Sequence, residues 1–291
     1  MKEKILTFTG ILLTIILGQY LLTSCENTGH EINTTDYATS KNILMEYGNL
    51  HNQGLDYIKT DLSKYPGDYT KNRLDSTLVE FVSQDWTNSD IIKISALKGI
   101  KPMTELMFND FLPSISKTRT LTESMLPKQT NIPAYKAVTE CLGEISNILN
   151  NVKDNDVLDN KELLFQLLQI INNIHIQYQK QYQSDSDAEA INTALGILYG
   201  SIEYWTNSNN VNIWTQICMD KVKEEKNLSI DYDNPKTRAK EEKKEETLSQ
   251  SQWIILIATV DTAGGLLGSG IATVPAAAAA SAAAALYFDV E

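Results

Sequence analysis

One stretch of the chain brings together residue types that can transfer protons. His51 is followed by the amide of Asn52, and Asp56 comes shortly after. A histidine side chain titrates near neutral pH and acts as a general base when a nucleophile lies beside it. Residues 47–57 contain no serine, threonine or cysteine, so an enzyme that uses His51 is only one hypothesis. The simpler hypothesis is a core-facing His51 and Asn52 that tie neighbouring helices together.

A second group of polar and aromatic residues lies within little more than one helical turn. Ser201, Tyr204 and Trp205 could line a pocket. Leu198 and Ile202 share a helical face with Ser201 and Trp205, which favours a packing face. We therefore interpret this group as a candidate structural or binding motif rather than a catalytic one.

The chain carries no motif that indicates a cofactor or a metal. Phosphate-binding loops, dinucleotide fingerprints, nucleophile elbows and zinc-protease helices are missing from the sequence. His30, His51 and His175 are too widely separated to give a metal-ligand spacing, and His175 lies on an apolar helical seam that predicts a core residue. The sequence predicts no cofactor and no metal, and it favours a protein that is not an enzyme.

The first residues of the chain predict export. Two lysines, an apolar run over residues 5–17 and small residues before Cys25 are typical of a secretory signal, here residues 1–24. The apolar run is too short to span a bilayer comfortably. Residues 22–25 (Leu-Thr-Ser-Cys) resemble the lipobox of bacterial lipoproteins. The resemblance implies that Cys25 becomes the first residue of the mature chain and carries a lipid. An ordinary signal peptide or an uncleaved anchor helix is the alternative.

Composition limits the partners. The formal net charge of −12 argues against nucleic acid, which requires a basic surface. Apolar residues make up 42% of the chain, enough for a globular body. Cys141 and Cys218 could form a disulfide or remain as two buried thiols, and we favour free thiols.

Helical periodicity dominates the middle of the chain. Residues 25–35 predict a flexible tether, residues 36–225 a helical body and residues 226–250 a charged linker. Within the body, apolar residues recur every three or four positions, and no useful strand alternation appears. We predict an all-α fold, an irregular bundle of about six helices at residues 36–62, 70–86, 134–151, 159–178, 188–205 and 211–225.

Two local signals refine this prediction. Asp159 and Glu162 fit a capping box at the start of the clearest helix. Gly196 and Gly200 are four residues apart, which lets another helix approach closely. Prolines divide residues 88–133, for which we predict short helices and loops.

The C-terminal tail, residues 251–291, is apolar and rich in glycine and alanine. Residues 253–288 contain one charge, Asp261. Small residues recur every fourth position in two rows, Gly264 and Gly268 in one and Gly265 in the other, a spacing that lets helices pack closely in membranes. The tail resembles glycine-zipper segments of pore-forming and bacteriocin-like peptides. We predict an apolar helix or hairpin.

The charges around the tail do not fit an ordinary membrane stop signal. Basic residues precede the tail and none follows it, although an exported body should be followed by a basic stop. Three alternatives remain for the tail. It enters a membrane or oligomerises after export, it folds back as a hairpin on its own body or on a partner, or it is disordered or processed.

Several short motifs together resemble a group of uncharacterised exported proteins of the Bacteroidota. They are the lipobox, the His51–Asn52 stretch with residues 54–58, the Ser201–Tyr204–Trp205 turn and residues 261–265. The resemblance implies export but no activity. Our leading hypothesis is a lipid-anchored protein of the cell envelope that acts by contact with a protein or a membrane, either with a partner or as a homo-oligomer. The alternatives are a membrane-active protein with a zipper tail and an enzyme that uses His51.

Overall fold

The computed structural model of the chain describes residues 34–64, 71–84, 86, 90–106, 131–229, 248–266 and 270–287. The chain divides into two compact units, residues 1–37 and 38–291, and only the first turn of a helix is described in the smaller one. The predicted signal, Cys25, most of the predicted linker and Gly268 lie outside the described residues.

The described residues form α-helices and contain no strand, which confirms the all-α prediction. Two short 3-10 helices, Asp154–Asp156 and Ile271–Thr273, join them. The helices, which pack as a bundle, are α1 (Thr34–Lys64), α2 (Lys71–Ser83), α3 (Asp90–Leu106), α4 (Ile132–Leu149), α5 (Lys161–Gln181), α6 (Asp185–Trp205), α7 (Ser208–Ser229), α8 (Gln250–Leu266) and α9 (Val274–Tyr287).

Two features of the body differ from the sequence prediction. Helix α3 continues through Pro102 where short helices were expected.

The cap of α5 is Asn160, whose side chain accepts the backbone N–H of Leu163. Asp159 has a positive φ of 56°. Its carboxylate accepts the backbone N–H of Ser208 at the start of α7 and not an N–H of α5. The predicted capping box at Asp159 is therefore wrong by one residue, because this side chain caps a different helix.

Helices α1 and α6 cross in backbone contact. A Cβ atom on Gly200 would lie 2.5 Å from the Cα of Gly48, and one on Gly196 would lie 2.5 Å from the Cβ of Tyr47. Real Cβ atoms do not approach so closely, so only glycine fits at this crossing. The predicted close approach at Gly196 and Gly200 is confirmed, and the helix that approaches is α1.

The tail forms a hairpin inside its own body. Described side chains on every face of α8 are buried apart from Gln250 and Gln252 in its first turn, and those of α9 are buried throughout. The turn contains Gly270, whose φ of 83° suits glycine and whose N–H donates to Thr193 of α6. Pro275 lies in the first turn of α9, where its missing N–H costs nothing.

The hairpin packs mainly on α6, α4 and, through α9, on α2 and α3. This arrangement corresponds to the fold-back alternative for the tail. Within the described part of the chain, no helix combines the length and the apolar character needed to cross a bilayer.

Candidate functional site

Helices α1, α6, α8 and α9 bring several of the predicted site residues into one buried polar cluster. We use this name for His51, Asn52, Ser201, Trp205, Asp261 and Ser281. The first two come from α1, the next two from α6, Asp261 from α8 and Ser281 from α9. His51, Ser201, Asp261 and Ser281 each have 0% exposure, and Asn52, at the edge of the cluster, is half-buried.

His51 links α1 to the hairpin. Its Nε2 lies 3.4 Å from Oδ2 of Asp261, and its Nδ1 lies 3.1 Å from Oδ1 of Asn52. An amide oxygen can only accept, so Nδ1 carries a proton. Nε2 is then left to face the carboxyl group of Asp261. The predicted core-facing orientation of His51 is confirmed.

Burial shifts both groups of this pair toward their uncharged forms. It lowers the pKa of His51 to about 4, against a smaller upward effect of Asn52. It raises the pKa of Asp261 to about 8. Water solvates an ionised group far better than a protein interior does, so each group resists charging.

The other members of the cluster surround the Asp261 carboxyl. Ser201, Ser281 and the Trp205 indole each favour its ionised form and partly oppose the effect of burial on its pKa. None makes a hydrogen bond of full geometry to either carboxyl oxygen, and the Ser201 hydroxyl has no such bond at all. Trp205 instead donates its Nε1–H to Ser281 across 3.1 Å. The upward effect of burial on the pKa of Asp261 is therefore larger than the downward effect of these three neighbours.

Tyr204 is buried beside Trp205 of this cluster. Its hydroxyl donates to Oδ1 of Asp56 across 3.1 Å and accepts the indole N–H of Trp214 across 3.2 Å. Burial, followed by the nearby Asp56 carboxylate, raises the pKa of Tyr204. The tyrosine therefore stays protonated and serves as a hydrogen-bonding link between α1, α6 and α7.

The tail glycines act as spacers beside the cluster. A Cβ on Gly264 would lie 2.9 Å from the Cα of Ala277 in α9, and one on Gly265 would lie 2.7 Å from Cδ1 of Ile197 in α6. Gly264 thus lets the two arms of the hairpin approach, and Gly265 lets the hairpin approach α6. The small-residue spacing is used for packing within the chain.

A second buried network surrounds His175. Nδ1 of His175 lies 2.7 Å from Oγ of Ser40, and its Nε2 lies 2.7 Å from Oδ1 of Asn192. Ser40 also bonds to Asn172. Every polar atom of the ring has a partner, as the prediction of a satisfied core residue requires. Burial lowers the pKa of this histidine, which keeps it neutral at pH 7.

The cluster has the wrong arrangement for nucleophilic catalysis. Nε2 of His51 faces a carboxyl group instead of a hydroxyl or thiol, while Ser201 lies beside the acid. A general base must reach the proton of its nucleophile, and a substrate must reach both. Among the described residues, no group of three or more His, Cys, Asp or Glu side chains could hold a metal ion. Cys141 and Cys218 are not joined by a disulfide.

Ser281 and the pairing of His51 with Asp261 were not predicted from the sequence. Each had a signal in hindsight, because Ser281 is the single polar residue in a run of alanines and Asp261 is the single charge of the tail. A lone polar residue in an apolar helix needs a buried partner.

Comparison of this chain with models of protein families, with curated proteins and with solved structures finds no match in any of the three.

Proposed function

We propose that this chain is a lipid-anchored protein of the cell envelope that acts through contacts of its outer surface with a protein or a membrane. The observation that carries the proposal is the complete burial of His51 and Asp261 in the polar cluster. His51 and Asp261 are the residues best suited to acid–base chemistry. They contact each other between α1 and the hairpin, where a substrate cannot reach them.

The anchor rests on the sequence of the first residues. The lysines, the short apolar run and the lipobox-like residues 22–25 support export and attachment of a lipid to Cys25. The hairpin is packed within the body. This packing supports attachment to the membrane by the lipid alone.

Replacing Cys25 with alanine is expected to abolish membrane attachment. Wild-type protein should remain in the membrane pellet after carbonate extraction and should incorporate labelled fatty acid. The Cys25→Ala variant should do neither, because a buried hairpin gives no second anchor.

A Cys218→Ala variant is the matched control, since it removes a thiol of the body and leaves the lipobox intact. It should fractionate as the wild type does. Retention of Cys25→Ala in the carbonate-washed pellet would contradict attachment by lipid alone and would indicate an inserted segment.

A second candidate function, membrane activity of the hairpin, is favoured by one observation. Both hairpin helices are apolar on nearly every face, with Asp261 as the single charge of residues 253–288. Helices of this type are stable either in a protein core or in a bilayer. Release of the hairpin from the body would therefore give it a second environment.

A disulfide between α1 and α9 separates the two candidates. A Cβ on Gly54 would lie 2.8 Å from the Cβ of Ala278, so a Gly54→Cys and Ala278→Cys pair can be cross-linked if the helices separate by about 1 Å. Liposome leakage caused by the reduced form and absent from the oxidised form would support membrane activity. Equal leakage in both forms would exclude release of the hairpin as the cause of the leakage. Leakage from neither form would contradict membrane activity of the hairpin.

A further inference from the structure

The contact between His51 and Asp261 joins the two ends of the described chain at one buried point. His51 belongs to the first helix, and Asp261 lies in the last hairpin. Both side chains have 0% exposure, and their atoms Nε2 and Oδ2 are 3.4 Å apart. A buried titratable pair costs free energy that an apolar pair would not, so its presence requires a reason.

We propose that His51 and Asp261 form a one-proton latch that holds the C-terminal hairpin to α1 and weakens as the pH rises above neutrality. This regulatory device goes beyond the proposed contact function and does not depend on the lipid anchor. It rests on the geometry of the pair and on the groups that surround it.

Nε2 of His51 and both carboxyl oxygens of Asp261 are buried without a hydrogen bond of full geometry, so one proton shared across the 3.4 Å between Nε2 and Oδ2 is what can satisfy both groups. Since Nδ1 already donates to Asn52, Nε2 faces Asp261 either as an acceptor or, when protonated, as a donor. In the first case Asp261 carries the proton and donates it to Nε2. In the second case an imidazolium donates it to a carboxylate. Either state satisfies the contact with the same number of protons.

Loss of this proton breaks the latch. The lone pair of Nε2 would then face a carboxylate in a site without solvent, and a buried unpaired charge is costly. Among the described residues, no charged group acts on this carboxyl, since α6 and α9 direct only Ser201, Trp205 and Ser281 at it. On α1, Asp56 and Lys59 pair with each other. The other titratable side chains on the helices packed against α8 include Glu189 and Glu203 on α6, and Glu140, Cys141 and Glu144 on α4.

The direction of the pH effect follows from counting protons in the two states. With a pKa of about 4 for His51 and about 8 for Asp261, the folded pair holds one proton between these values. The unfolded pair also holds one proton up to the ordinary histidine pKa of about 6.5, and none above it. The pair therefore makes no pH-dependent contribution from about pH 4 to 6.5. Between about pH 6.5 and 8, opening releases one proton, so the latch weakens as pH rises.

Hydrogen exchange of the α8 backbone amides in the full chain, purified in detergent, tests the latch. After correction for the chemical exchange rate, wild-type protection should fall about 8-fold between pH 6.5 and 8, because each end of this interval is the midpoint of one of the two titrations. Asp261→Asn should remove this fall, because the amide donates to Nε2 and has no proton to lose. Thr262→Val is the matched control, being the buried neighbour on the same helix, and it should retain the fall. Helix α5 provides an internal reference.

A second variant keeps the test valid if Asp261→Asn does not fold. In His51→Gln the unfolded chain has no histidine at this position to hold a proton between about pH 4 and 6.5. Opening then releases the Asp261 proton over this range too, so the fall in protection should begin near pH 4 instead of pH 6.5. Protection of α8 that does not change with pH in the wild type would overturn the proposal. So would the same pH dependence in wild type, Asp261→Asn and His51→Gln.

Discussion

Replacing Trp205 with alanine is expected to lower the free energy of unfolding by about 3–5 kcal/mol. Trp205 has 0% exposure, and its ring lies 4.9 Å from that of Tyr204 and 5.0 Å from that of Trp253, both in edge-on geometry. Its indole N–H also bonds Ser281. The substitution therefore opens a large cavity where α6, α8 and α9 meet. Urea denaturation followed by circular dichroism measures the loss.

Two further variants make this test specific. Phe165→Ala removes an aromatic ring that is 56% exposed, and its effect should stay within about 0.5 kcal/mol. Trp205→Phe should give an intermediate loss, since it keeps an aromatic ring but leaves Ser281 without its donor. If Trp205→Ala lowered the free energy of unfolding no more than Phe165→Ala does, the packing of Trp205 would not be what holds the hairpin to the body.

Replacing Gly200 with alanine is expected to destabilise the protein by about 2 kcal/mol, although alanine is the better helix former. The new Cβ would lie 2.5 Å from Cα and 2.6 Å from the carbonyl oxygen of Gly48. Both atoms belong to the backbone of α1 and cannot rotate away, so the two helices must separate. Thermal and urea denaturation of the variant measure the effect.

The control for this prediction has the opposite sign. Gly143 is also within a helix, but nothing lies within 4 Å of its missing Cβ. Gly143→Ala should therefore stabilise the protein by about 0.5–1 kcal/mol through reduced backbone entropy of the unfolded chain. A destabilising Gly143→Ala, or a neutral Gly200→Ala, would contradict the role of close packing at the crossing.

Local sequence patterns were sufficient for the helices because periodicity is a local property. The predicted helix at residues 188–205 corresponds to α6 at Asp185–Trp205, and the one at 134–151 corresponds to α4 at Ile132–Leu149. The error at Asp159 has a different origin. A carboxylate can cap either of two helices that start nearby, and the choice depends on where Ser208 lies in space. No spacing along the chain contains that information.

The candidate site was predicted as separate pieces and not as a cluster. His51, Ser201, Trp205 and Asp261 were each singled out by residue type or by position on a helical face. Their meeting depends on how α1 and α6 cross and on the fold-back of the tail, which are tertiary choices. The sequence left three alternatives for the tail, because an apolar helix suits a core and a bilayer equally well.

The central place of the hairpin has a consequence for how the chain folds. Its two helices are buried within the body, where Ala278 of α9 lies against α1 and Asp261 of α8 lies against His51. The earlier helices therefore cannot complete their core until both helices of the hairpin, α8 and α9, have been synthesised. Contacts between distant parts of a chain form slowly because a long loop must close first. We therefore expect α1 to α7 to pack stably only after the hairpin has joined them.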